Sequence, residues 1–109
     1  VSVIIGEVPT FKDVSPTKEQ ALKPLEESAE VFAAWQLLCG TANGKADKCM
    51  ECNHAGGCDS FNSIVDECAD VIQAVSNLLE SLGAIDMRNR LVKCRKLNEL
   101  RGRQYADNQ

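Results

Sequence analysis

The sequence predicts an all-α protein, an antiparallel helical bundle completed by oligomerisation. Apolar residues recur in alternating steps of four and three from Ile64 to Leu82, glycines stand where the periodic runs stop, and no internal run reads convincingly as a strand. With 109 residues the chain holds one domain, small enough to gain from association. Residues 1–14 read as an extended N-terminal arm, and 15–109 as a single helical domain with a Cys-rich insert at 40–59.

The arm is β-branched at first and then broken by Pro9, so it is suited to lying along the body or along a partner. Ser15 and Pro16 predict a helix start, since a hydroxyl can cap free amides and a proline loses nothing at the first turn. That helix runs toward Cys39, with Pro24 as a kink point and Gly40 as its stop. From Ser60, a good cap, the stripe Ile64, Cys68, Val71, Val75, Leu78, Leu82 predicts a second helix, widened by Val65, Ile72 and Leu79 and ended by Gly83. Asp86 is expected to cap a third, whose inward face reads Met87, Leu91, Cys94 and Asn98, with a break at Gly102.

Sixteen acidic against twelve basic residues give a net charge of -4, so the chain offers no general attraction to nucleic acid or anionic membranes. A polyanionic partner would need a bridging cation. No stretch approaches the roughly 18 apolar residues that a bilayer span requires, and VSVIIGEVPTF lacks the layout of a signal peptide. Cys68 and Cys94 stand in helical, core-like contexts where thiols pack, which points to a reducing, cytoplasmic compartment.

Two carboxylate pairs carry the chemistry. On a helical wheel Leu22, Leu25, Ala29, Phe32 and Cys39 share one face, while Glu27 and Glu30 fall opposite among Val31, Ala34, Leu37 and Leu38. An acidic face that turns hydrophobic within a turn predicts that its acids enter an interhelical space. Glu67 borders the stripe of the next helix, with Asp70 one step further round beside Ala74 and Asn77. Residues three apart project from one side of a helix, so two facing helices can bring both pairs to one locus. Crowded carboxylates raise one another's pKa unless cations neutralise them, and an oxygen-only set favours Mg²⁺ or Mn²⁺. The competing reading is of ordinary helix-surface charges.

Glu26 to Glu30 (E-E-S-A-E), then Glu67 to Asp70 (E-C-A-D), then Lys96 to Arg103 (K-L-N-E-L-R-G-R) resemble the MazG-like group of the all-α nucleoside triphosphate pyrophosphatase superfamily, marked by E-x-x-E…E-x-x-D. The resemblance covers about residues 17–103. It implies hydrolysis between the α and β phosphates of a nucleoside triphosphate, giving a monophosphate and pyrophosphate. It further implies that Glu27, Glu30, Glu67 and Asp70 ligate Mg²⁺, one of them also orienting or deprotonating the attacking water. A homodimer or homotetramer is the expected assembly, with no nucleic acid polymer and no membrane as partner.

Asn98, on the inward line of the last helix, needs a partner for its amide, and Arg101 suits phosphate oxygens through its planar fork. Lys96 matches the family tail, although it points away from that face on an ideal wheel. Trp35, the sole tryptophan, can stack on a base or anchor the bundle core or a subunit interface. In the insert, Cys49, Cys52, His54 and Cys58 offer soft ligands for a structural Zn²⁺, with Cys39 as an alternative fourth; free thiols or a disulfide are the other readings. Compact family members join the acidic helices more simply, so the insert is a departure from the pattern. The alternative function from another class is a zinc-stabilised helical interaction module without catalysis.

Overall fold

The structure, a computed structural model, describes residues 2–39 and 59–106. Three helices follow one another, α1 (Lys18–Cys39), α2 (Asp59–Ser81) and α3 (Arg88–Leu100), and the described residues contain no strand. The all-α expectation is met.

Local chemistry sets the helix ends. Thr17, not Ser15, caps α1, its Oγ1 accepting the Gln20 amide at 3.2 Å, and the helix continues through Pro24. Gly83 stops α2 as expected. It adopts a φ of +77°, the Ala84 amide returns to the Leu79 carbonyl at 2.9 Å and the Gly83 amide to Glu80 at 3.0 Å, a Schellman closure. Gly102 repeats it at the end of α3 with a φ of +86°, Arg103 donating to the Asn98 carbonyl and Gly102 to that of Glu99. Asp86 accepts the Arg88 amide at 3.1 Å and the Arg88 guanidinium at 2.7 Å from one residue before Met87, which occupies the cap position. The guanidinium holds the Asp86 carboxyl at a pKa of about 2.

Packing joins α1 to α2, whereas among the described residues α3 touches neither. The expected three-helix bundle is therefore realised as one packed pair and one helix standing clear. On α1 the sheltered line is Gln20, Pro24, Glu27, Val31, Ala34 and Leu38, in steps of four and three. This is the face that carries Glu27. The opposite face is exposed, so Phe32 at 60% exposure and Leu25 at 68% are not the core residues that periodicity suggested. On α2 the seam runs through Ile64, Glu67, Val71, Ala74 and Leu78, rotated from the predicted stripe, and Cys68 and Val75 turn outward. Cys94 is likewise an exposed free thiol and not a packed one.

Among the described residues only Leu38, Ala74 and Asn77 are buried, and α3 buries none. The Cα radius of gyration is 16.6 Å, against about 13 Å for a compact chain of roughly 100 residues. The apolar surface of α1 and α3 far exceeds what this packing covers.

The arm crosses α2 in extended form. The Phe11 amide donates to Asn77 Oδ1 at 3.0 Å, and Gln73 Nε2 donates to the Pro9 carbonyl at 2.8 Å and to Asn77 Oδ1 at 3.1 Å. Asp13, at a φ of +59°, makes the left-handed turn that leads the chain from this latch toward α1.

Leu38 is the one fully buried large side chain in the described seam. Leu38→Ala is expected to lower the free energy of unfolding by about 2–5 kcal/mol in urea titration; a loss under about 0.5 kcal/mol would place the stabilising core elsewhere.

Candidate metal centre

Two helical turns meet across the α1–α2 seam with an acid at each of four corners. The i, i+3 spacing projects Glu27 and Glu30 from one side of α1, and Glu67 and Asp70 from one side of α2. Each offers an oxygen, and these oxygens all lie within 4.8 Å of one another. Each pair contributes one half-buried carboxylate, Glu27 or Glu67, and one exposed carboxylate, Glu30 or Asp70. The convergence expected from the sequence is met.

The cluster is electrostatically unbalanced. Among the described residues the ion pairs are Lys23–Glu26, Arg88–Asp86 and Arg95–Glu99, so none neutralises the four acids. Hydrogen bonding to Glu30 raises the Glu27 pKa, helped by burial and by the charges of Glu30, Asp70 and Glu67. Burial raises that of Glu67, followed by the charges of Glu30 and Asp70. Glu67 Oε2 is buried without a hydrogen-bond partner, which an acceptor tolerates poorly.

A hard divalent cation fits this donor set. Four carboxylates supply oxygen ligands alone, and the unpartnered Oε2 has an unused lone pair beside them. Oxygen chemistry of this kind suits Mg²⁺ or Mn²⁺ and disfavours zinc.

Beside the cluster lies a cavity of about 490 Å³, a size typical of small-molecule sites. Glu27, Glu30 and Asp70 line it, as do Lys23 of α1, Gln73 and Asn77 of α2, and Phe11 of the arm. Nothing in the sequence patterns singled out Phe11 or Gln73, and Asn77 was placed beside Asp70 without a role. The readable sign was Asn77 itself, an amide within a strongly apolar helix.

The other predicted residues are not brought to the acids within the described chain. Lys96, Asn98 and Arg101 lie on or just past α3, which does not touch α1 or α2. Asn98 does find partners, but locally: Nδ2 donates to the Tyr105 hydroxyl at 3.0 Å and to Cys94 Sγ at 3.6 Å, and Arg103 donates to Oδ1 at 2.8 Å. The Arg95 guanidinium lies 4.7 Å from the Tyr105 ring centroid, completing a small polar cluster at this helix end. Trp35 is half-buried on α1 and does not line the cavity. Cys49, Cys52, His54 and Cys58 lie outside the described residues, so the zinc expectation stands where it was.

Comparison with protein-family models, with curated proteins and with solved structures finds no match. No helix among the described residues is long and apolar enough to cross a membrane.

The raised pKa values fix a sign for pH dependence. Between the ordinary glutamate value of 4.5 and the raised values of Glu27 and Glu67, the folded chain binds more protons than the unfolded one. Without divalent ions, stability conferred by these protons is complete below that window and falls as pH rises through it. Mg²⁺ or Mn²⁺ takes the protons' place, so the gain in Tm on adding either is expected to be larger near pH ~8 than near pH ~5 in thermal melts against EDTA controls. An equal gain at both would separate the ion's site from these acids.

Proposed function

We propose that this chain is a Mg²⁺-dependent nucleoside triphosphate pyrophosphohydrolase of the MazG-like kind, cleaving between the α and β phosphates. The observation that carries the reading is the meeting of four carboxylate oxygens within 4.8 Å, across two helices, with no ion pair among the described residues made to any of the four. A cavity of small-molecule size, lined by three of those acids, supports a soluble substrate, and an anionic one would be held there through the bound ion.

A divalent ion held by Glu27, Glu30, Glu67 and Asp70 would neutralise phosphate charge and lower the pKa of coordinated water. Glu30 and Asp70, the exposed members, line the cavity together with Glu27. Glu67 would give the ion its sheltered Oε2, which is buried without a hydrogen-bond partner. One of the four carboxylates would also orient the attacking water and take up its proton. Glu27, half-buried like Glu67, would supply the other sheltered ligand.

The helix pair runs antiparallel in this reading, as the sharing of one groove by Gln20 and Lys23 of early α1 with Gln73 and Asn77 of later α2 supports. Oligomerisation completes the core. Its support is the exposed apolar surface of α3, where Leu91, Val92 and Leu100 are 63%, 55% and 84% exposed. A second copy also gives Asn98 and Arg101, and Lys96 with them, a route to the phosphates. The location that fits this chemistry is the cytoplasm, where nucleotides are made and used.

Phosphate release from nucleoside triphosphates is expected only when inorganic pyrophosphatase is added, because the direct product is pyrophosphate. Glu67→Gln and Asp70→Asn should each lower kcat by at least about 100-fold with unchanged far-UV circular dichroism, beyond the 10–100-fold cost of disturbing a ligand's hydrogen-bonded neighbour. Activity surviving both changes would defeat the reading. Sedimentation equilibrium should return a dimer or tetramer, and Leu91→Asp should shift it toward monomer; a wild-type monomer at micromolar concentration would remove the assembly from the proposal.

A further inference from the structure

We infer that the N-terminal arm forms the nucleoside-binding wall of the acidic cavity, with the Phe11 ring as a stacking platform for the base and Asn77 as the residue that positions it. The inference rests on the proposed triphosphate chemistry and assigns the part of the substrate that the carboxylates do not touch.

The arm buries little. Val3, Ile4 and Phe11 are 87%, 93% and 64% exposed, and of its described apolar side chains only Val8 and Val14 are half-buried. Polar bonds add to this modest contact: a side chain only 4% exposed, Asn77, accepts the Phe11 amide, and Gln73 donates to the Pro9 carbonyl. A buried amide used to pin a segment 66 residues away, at a phenylalanine that lines a cavity and stays largely exposed, is poorly explained as core packing. It is well explained as placement of the ring.

Position along the groove assigns the ligand. Asp70 and Asn77 are seven residues apart on α2, a rise of about 10 Å. The Phe11 backbone amide is bonded to Asn77, which places this residue of the arm toward the Asn77 end of the cavity and not at the acids. Phosphates drawn to an ion at Glu27, Glu30 and Asp70 leave the space toward Phe11 for sugar and base. Every base has a π-face, so an aromatic platform adds affinity with little choice among bases.

The test uses the full chain and three variants, Phe11→Ala, Phe11→Tyr and Asn77→Ala. For the triphosphates the wild type hydrolyses, Phe11→Ala should raise KM about tenfold with kcat within about threefold, and Phe11→Tyr should restore KM by restoring the ring. Calorimetric titration with α,β-methylene triphosphates and Mg²⁺ should show the same loss of affinity without turnover. Asn77→Ala should speed hydrogen exchange at the Phe11 amide and raise KM in the same direction. Phe11 is exposed, so its variants report even if Asn77→Ala misfolds. Active wild type with unchanged KM and unchanged analogue affinity in Phe11→Ala overturns the arm's role alone. Wild type that hydrolyses no triphosphate overturns both the arm's role and the reading beneath it.

Discussion

Repulsion among Glu27, Glu30, Glu67 and Asp70 is the constraint around which the described fold is arranged. The same α1–α2 seam that buries Leu38 and Ala74 also presses four acids together. Hydrophobic contact pulls the helices into register, and like charge opposes it at one level of that register. Protons relieve the conflict in part, which is why the pKa values of Glu27 and Glu67 are raised above the ordinary glutamate value. A divalent cation would relieve it more fully and convert an unfavourable cluster into a ligand set. On that reading stability and ion binding draw on the same atoms.

The seam itself is thin. A helix pair whose described core consists of Leu38, Ala74 and the amide of Asn77 leaves most apolar side chains facing outward. Two polar latches, at Asn77 and Gln73, do what buried surface does elsewhere and fix the arm against α2. The cavity beside the acids is consequently walled by elements of different firmness: two helices on one side and a tethered strip of chain on the other.

Much of this could be read in the sequence, for identifiable reasons. Helix existence followed from periodicity, and the stops at Gly83 and Gly102 from the need for a residue at positive φ. The acids' convergence followed from their i, i+3 spacing inside apolar runs. Azimuth was harder. Apolar residues surround more than half of α2, so the pattern shows a helix without showing which side faces α1, and Glu67 and Ala74 took the place predicted for Cys68 and Val75. On α1 both faces were apolar and only the acidic one packed, leaving Phe32 outside. The Asn77–Phe11 bond joins residues 66 apart, and no local pattern registers a partner at that distance. For α3, periodicity reports that an apolar face exists but not what it rests on.

Between the left-handed Gly83 and the start of α3 at Arg88 the chain turns away from the helix pair, and α3 leans on neither of its predecessors. A helix so placed is governed by mass action when its resting surface belongs to another molecule. On the proposed activity, the guanidinium of Arg101 would then be supplied to the acids in proportion to how much of the protein is present. Abundance would thereby set the threshold for turnover.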